Sequence, residues 1–112
     1  MVLFLTSHAD GAVTVISASG ELDLATSPQL RNLLLELLED GRCNVVVDLS
    51  EVTVLDSVGM GVLAGGMRRV TAAGGTFKLV VTDPRIQHVL GLAGLTRPSQ
   101  SSLPGQKHWV QR

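Results

Sequence analysis

Short apolar runs alternate with apolar residues at helical spacing along this chain, and this pattern predicts strands separated by helices. Residues 2–6 and 12–19 predict two strands, and Asp10-Gly11 between them predicts a hairpin, because Asp-Gly favours the tight turns that join antiparallel strands. Residues 45–49 and 76–81 are continuous apolar runs, as in strands buried on both faces. The chain is therefore expected to contain four strands.

Helices are predicted in the intervals between the later strands. Leucines recur at helical spacing at positions 30, 33, 34, 37 and 38, with Ser27 as the predicted cap, Pro28 in the first turn and Gly41 as the stop. A second helix opens at Ser57, and a third follows Asp83 through about residue 92. Strands joined by helices of this length imply parallel crossovers, so the predicted fold class is α/β, a mixed β-sheet packed with α-helices.

The helix that begins at Ser57 has two different faces. At about 100° per residue, Gly61, Ala64 and Arg68 share a face with Ser57, flanked by Met60. The opposite face is expected to pack on the sheet, and its members are Gly59, Val62, Leu63, Gly66 and Val70. Glycine inside a helix costs about 0.8–1 kcal/mol relative to alanine. Close packing on the sheet would compensate at Gly59 and Gly66, and close approach of a partner would compensate at Gly61. For Gly65 both explanations stay open.

Ser57 itself stands at the mouth of this apolar helix, directly after Asp56 and a hydrophobic strand. The N–H groups of a first helical turn lack intrahelical acceptors and the helix dipole adds partial positive charge, so an anion there is favoured. A phosphoserine is the natural candidate. The alternative is that Ser57 only caps the helix, a role worth about 1 kcal/mol.

Three short motifs together give this chain a resemblance to a known family. They are Gly20-Glu21-Leu22-Asp23 at the end of the second strand, Val45-Val46-Val47-Asp48-Leu49 in the third, and Asp56-Ser57-Val58-Gly59 at the helix start. In this combination the chain resembles the STAS family of anti-sigma factor antagonists over about residues 2–96, including Gly74-Gly75 and Gly94-Leu95. The resemblance implies a single STAS domain over residues 1–96.

The resemblance also implies a function. Such a protein binds an anti-sigma factor when unphosphorylated and is switched off by phosphorylation, here of Ser57, by the kinase activity of the anti-sigma factor. A serine phosphatase resets it. The expected partner-binding residues are Asp23, Asp56, Ser57, Met60, Gly61, Ala64 and Arg68. For Asp23 the default is a role in the turn before the first helix, whereas the family motif implies a place beside the serine.

Two other functions remain open from the sequence. A STAS domain could serve as a constitutive docking subunit of a transport or stress-sensing complex, and a small-molecule or nucleotide-binding module could use a pocket between Asp23 and the Ser57 helix. Enzymatic alternatives fit less well. Leu55 occupies the first glycine position of a Gly-x-Ser-x-Gly elbow, and Met67-Arg68 follows Gly61 and Gly66 where a phosphate-binding loop needs Lys and Ser or Thr. We therefore expect no enzyme.

The C-terminal end departs from the family pattern, because STAS domains usually finish with an amphipathic helix on the sheet. Residues 97–112 have no helical periodicity and are rich in polar residues and proline. We expect a polar, flexible tail, or one that packs through Trp109 and Val110. The missing final helix could expose apolar surface, which leaves a weak homodimer open.

Composition and charge further restrict the possible functions of the chain. The 112 residues, 45% hydrophobic and 17% charged, suit one packed core. A net charge of −1 argues against binding nucleic acid directly. Cys43 is solitary and no His, Cys and carboxylate cluster has metal-ligand spacing, so no disulfide, metal or cofactor is expected. Neither a signal peptide nor a membrane span is predicted, and the expected location is the cytoplasm.

Overall fold

The fold is a mixed sheet of strands with helices between them, as predicted. The computed structural model describes residues 2–92, 94, 95 and 108–111. In chain order its elements are β1 (Leu3–Asp10), β2 (Val13–Leu22), α1 (Ser27–Glu39), β3 (Asn44–Leu55), α2 (Ser57–Ala72), β4 (Thr76–Val81), α3 (Pro84–Leu92) and β5 (His108–Gln111). The strand order is β1-β2-β3-β4-β5. The β1–β2 and β4–β5 pairs are antiparallel, and β2–β3 and β3–β4 are parallel.

The β1–β2 hairpin is confirmed, with longer strands than the sequence pattern predicted. Asp10 pairs with Val13, so only Gly11 and Ala12 lie in the turn, and Gly11 adopts a φ of +64°. Glycine tolerates this left-handed conformation because it has no Cβ.

Strand β3 is also longer than the apolar run of residues 45–49, because it continues to Leu55. Its extension pairs with the end of β2 after two register shifts, with Glu21 opposite Val54 and Leu22 opposite Leu55. The two strands therefore end side by side, at Leu22 and Leu55. This pairing brings the residues that follow each strand to one corner of the domain.

One hydrophobic core joins the sheet to the helices. Ile16, Val47 and Leu79 pair across three neighbouring strands and are all nearly inaccessible to solvent. The helical residues in the same cluster are Leu30, Leu34 and Leu37 of α1, Leu63 and Val70 of α2, and Ile86 and Leu90 of α3. Burying a Leu, Ile or Val side chain contributes about 1.5–3 kcal/mol, so this cluster supplies the main drive for folding.

Two glycines let α2 lie close to its neighbours, as expected from its apolar face. A Cβ on Gly59 would stand 2.6 Å from the carbonyl oxygen of Leu22, and one on Gly66 would stand 2.9 Å from Leu34 Cδ1. Gly61 is different, because a Cβ there would meet no atom within 4 Å. Val62, which was expected to face the sheet, is only half-buried and lies at the flank of the buried face.

At the C-terminal end, β5 adds an antiparallel strand beside β4, with Val81 opposite His108 and Lys78 opposite Gln111. The sequence analysis assigned no strand there, because an edge strand depends on pairing with a remote neighbour more than on its own pattern. The predicted flexible tail comprised residues 97–112; of these, 108–111 form β5, and the rest lie outside the described residues. In the part of the chain that is described, no helix is long and apolar enough to cross a membrane.

The two kinds of glycine in α2 should respond oppositely to the same substitution. Gly59→Ala forces the Cβ against the backbone of Leu22, so we expect a loss of about 1–3 kcal/mol in the free energy of unfolding. Gly61→Ala meets only open space and should raise that free energy by about 0.5–1 kcal/mol through helix propensity. Urea denaturation measures both. Equal effects would mean that α2 does not pack as described.

Candidate partner-binding site

The candidate site lies where β2 and β3 end together. Leu22 and Leu55, the last residues of the two strands, are paired in the sheet. Asp23 directly follows Leu22, and Asp56 directly follows Leu55. The backbone N–H of Asp56 also donates a hydrogen bond to the carbonyl oxygen of Leu22, at 3.3 Å. The loop that leads into α1 therefore lies against the start of α2.

The carboxylate of Asp56 holds these two segments together. One oxygen, Oδ1, accepts the N–H of Gly59 at 2.8 Å and caps α2, and the other, Oδ2, accepts the N–H of Leu24 at 2.9 Å. The helix cap is thus Asp56 and not Ser57. These hydrogen bonds therefore do not support the alternative that Ser57 only caps the helix.

Ser57 is the first residue of α2 and is exposed. Within the described residues its side chain has no hydrogen-bond partner, because the capping position is already taken by Asp56. Its hydroxyl is therefore free to react without breaking an internal contact. The first-turn N–H groups and the helix dipole favour an anion at this position.

Asp23 is only 7% exposed and performs the turn role. Its Oδ1 accepts the N–H groups of Ala25 and Thr26, at 3.0 and 3.1 Å. Thr26 Oγ1 in turn donates to the carbonyl oxygen of Glu21 at 2.6 Å. The N-cap position of α1 is occupied by Thr26, whose side chain makes no capping hydrogen bond, so the prediction of Ser27 as the cap is wrong. Ser27 is instead the buried first residue of the helix.

The turn that Asp23 stabilises presents an apolar side chain to solvent. Leu24 is 70% exposed, although its backbone is fixed by the hydrogen bond to Asp56. Val58 beside Ser57 is 39% exposed. The sequence analysis missed both residues. For Leu24 the available signal was an apolar residue in the turn between β2 and α1.

The other predicted site residues divide by their angle around α2. Gly61 and Arg68 are exposed and lie on the same side as Ser57. Met60 and Ala64 are half-buried and pack against the core. The open part of the predicted face therefore consists of Ser57, Gly61 and Arg68, with Met60 and Ala64 at its edge.

A groove of about 450 Å³ runs along the other edge of this face, between α1 and α2. Arg31 of α1 and Arg68 and Arg69 of α2 line it. The sequence analysis missed Arg31 and Arg69, because only the packing of the two helices brings them together. We refer to this feature as the arginine groove.

Metal chemistry has no candidate residues in the described part of the chain, where no group of three His, Cys, Asp or Glu side chains could hold an ion. Just before α3, the hydrogen bond from the Arg85 guanidinium lowers the pKa of Asp83 below its usual value. This pair is an exposed contact within two residues and does not involve Ser57.

Comparison with known proteins identifies the family. The model of the STAS domain matches residues 5–101. The chain belongs to the STAS domain family. It is 32% identical over 80 residues to the anti-sigma-B factor antagonist of Bacillus subtilis (strain 168). The matched segment covers 71% of this chain and 72% of that protein. The fold and the family suggested by the sequence motifs are therefore confirmed.

Solved structures support the same assignment. An anti-sigma factor antagonist from Mycobacterium paratuberculosis superposes with a TM-score of 0.77 at 31% identity, covering 84% of this STAS chain and 80% of that one. The Bacillus cell fate determinant SpoIIAA in the phosphorylated form has a TM-score of 0.66 at 23% identity, covering 82% and 85% of the two chains. At that identity SpoIIAA supports the fold alone.

Asp56 and Ser57 should contribute very differently to stability. Asp56→Ala removes the cap of α2 and the link to Leu24, so we expect a loss of about 1–2 kcal/mol in the free energy of unfolding. Ser57→Ala removes no described hydrogen bond and should change it by less than about 0.5 kcal/mol. Urea denaturation of the two variants tests this. A loss in Ser57→Ala as large as in Asp56→Ala would return the capping role to Ser57.

Proposed function

We propose that this STAS domain is an anti-sigma factor antagonist controlled by phosphorylation of Ser57. In its unphosphorylated form it binds an anti-sigma factor through the exposed side of α2 and so releases a sigma factor for transcription. The observation that carries this proposal is the exposed Ser57 hydroxyl at the start of α2, left free because Asp56 supplies the cap. The relatives named anti-sigma factor antagonists supply the identity of the partner.

The surface around Ser57 suits a close protein contact. Gly61 has no side chain and no neighbour within 4 Å of its Cβ position, so a partner backbone can approach α2 there. Val58 in the first turn of α2, and Leu24, whose N–H binds Asp56, offer exposed apolar area at the start of the helix. Burying apolar surface contributes about 25 cal/mol per Å², and such contacts tolerate an added charge poorly.

Phosphorylation would oppose this contact electrostatically. A phosphoserine carries about −1.5 to −2 charges at neutral pH. At Ser57 it stands next to the Asp56 carboxylate, whose two oxygens are already engaged with Gly59 and Leu24. The phosphate would repel an acidic group of the partner. It would also have to give up bound water in the contact, which costs free energy. The helix dipole still tolerates it, so the fold should remain and only the binding should weaken.

The proposed switch requires one enzyme that adds the phosphate and one that removes it. We propose that the anti-sigma factor acts as the serine kinase and that a serine phosphatase restores the active form. The binding reaction would take place in the cytoplasm. No cofactor is required by the domain itself, because it contributes the hydroxyl and the kinase brings ATP.

Three forms of the protein test the switch against each anti-sigma factor encoded in the same genome. Ser57→Ala should bind with an affinity close to that of the unphosphorylated wild type and should not respond to ATP. Ser57→Glu should bind at least tenfold more weakly, or by about 1.4 kcal/mol, because it carries a charge into the contact. Isothermal titration gives the affinities, mass spectrometry after incubation with ATP gives the phosphorylated residue, and circular dichroism controls for folding.

Two outcomes would contradict the switch. A phosphate on a serine other than Ser57 would move the site of control elsewhere. Equal affinities of Ser57→Ala and Ser57→Glu would favour the constitutive docking subunit of a transport or stress-sensing complex.

Gly61 gives a separate test of the contact surface. Gly61→Gln places a long side chain where the partner should approach, so binding to the anti-sigma factor should fall by at least tenfold. The free energy of unfolding should stay level or rise by about 0.5 kcal/mol, because glutamine is the better helix former. His88→Gln, at an exposed position of the separate helix α3, is the control and should bind normally. A strong loss of stability in Gly61→Gln would contradict the open position of this residue.

A further inference from the structure

The arginine groove concentrates positive charge that no acidic side chain of the described residues pairs with. Arg31, Arg68 and Arg69 are all exposed and line the groove from two helices. Among the described residues the only ion pair joins Arg85 to Asp83, at 3.0 Å. The three guanidinium groups therefore face solvent without an acidic partner in the described part of the domain.

This concentration is local and does not follow from the overall charge. The chain has nine Lys and Arg residues against ten Asp and Glu residues, for a net charge of −1. Three of those nine positive side chains lie in one groove. The two carboxylates at the corner where β2 and β3 end, Asp23 and Asp56, accept hydrogen bonds from backbone N–H groups.

The groove is an open depression whose lining combines basic, apolar and glycine residues. Gly61 and Gly65 line it without side chains, and Val58 and Val62 supply apolar area. From Val58 to Arg69 its α2 wall extends over eleven residue steps, or roughly 16 Å at 1.5 Å per residue. This length matches about three turns of a second helix and exceeds what one phosphate or one carboxylate needs.

We propose that the arginine groove binds an acidic amphipathic helix of the protein partner. Carboxylates of that helix would meet the guanidinium groups, which can bind carboxylates in a bidentate manner, while its apolar residues would pack on Val58 and Val62. The inference rests on the proposed function for the partner's identity, since Val58 and Gly61 belong both to the groove and to the surface around Ser57. Beyond the proposed function, it specifies that the segment of the partner that binds the groove is negatively charged.

A nucleotide suits the groove less well. Its lining contains no aromatic ring on which a base could stack and no carboxylate that could hold a ribose. The two described aromatic side chains lie elsewhere, since Phe77 is in the core and Phe4 is on strand β1. An acidic peptide needs only the arginines and the apolar patch that are present.

The test is a nuclear magnetic resonance titration of the full-length, ¹⁵N-labelled protein. The probe is a synthetic helical peptide with glutamates along one stripe and leucines beside it, blocked at both ends, and its counterpart carries glutamine at each glutamate position. In low salt we expect saturable shifts for the glutamate peptide at the backbone amides of Gly61 and Gly65 and at the Nε–H of the three groove arginines. The glutamine peptide should bind at least fivefold more weakly, and salt should weaken binding of the glutamate peptide.

Substitutions in the groove sharpen the assignment. Arg31→Gln and Arg69→Gln should each weaken binding of the glutamate peptide by about threefold, as expected for exposed ion pairs, and the double variant should weaken it further. Arg85→Gln is the matched control, because Arg85 is an exposed arginine outside the groove, and it should bind like the wild type. The spectra themselves report whether each variant is folded.

Several results would overturn the groove proposal. These are no shifts at millimolar peptide, equal affinity for the two peptides, or shifts confined to other surfaces. If inorganic phosphate produced the same shifts at lower concentration, the groove would be an anion site and the proposal would be wrong. The assay contains no anti-sigma factor, so its failure leaves the Ser57 switch standing. Failure of that switch with intact peptide binding would refute the proposed function alone.

Discussion

The Asp56 carboxylate is the contact on which the functional corner of this domain depends. It accepts one N–H from the first turn of α2 and one from the loop before α1. These are charge-assisted hydrogen bonds, which are roughly twice as strong as neutral ones. Through them the ends of two parallel strands, the start of α2 and the exposed Leu24 form one rigid unit. The Ser57 side chain can stay exposed and without a hydrogen bond because Asp56 accepts the first-turn N–H group that a capping residue would bind.

The glycines of α2 divide according to the same geometry. Gly59 and Gly66 stand where any Cβ would meet Leu22 or Leu34, so the cost of about 0.8–1 kcal/mol for glycine in a helix is offset by close packing. Gly61 has no such neighbour, and the described fold provides no compensation for it. In the proposed function, close approach of the partner at Gly61 supplies that compensation.

Sequence patterns predicted those features that depend on local periodicity. The hairpin, the helix after Ser57 and the limits of β4 at Thr76–Val81 follow from apolar spacing and turn residues. The cap of α2 was harder to assign, because Asp56 and Ser57 are adjacent and both are good capping residues. The extension of β3 to Leu55 depends on pairing with β2, and the arginine groove depends on the packing of α1 against α2. Both are contacts between remote parts of the chain that no local pattern records.

The distribution of charge along α2 links the serine to the groove. Arg68 lies eleven residues after Ser57, roughly 16 Å along the helix axis, whereas salt at physiological strength screens exposed charges beyond about 8 Å. The Arg68 guanidinium leans back toward Gly65, which is still about 12 Å along the axis from Ser57, so it would offset the charge of a phosphate at the start of the helix only weakly. An acidic partner helix lying along α2 would be attracted by the arginines at one end and repelled by the phosphate at the other. This order of charges gives the proposed switch its direction, because the repulsion between the phosphate and an acidic partner adds to the cost of removing water from the phosphate on binding.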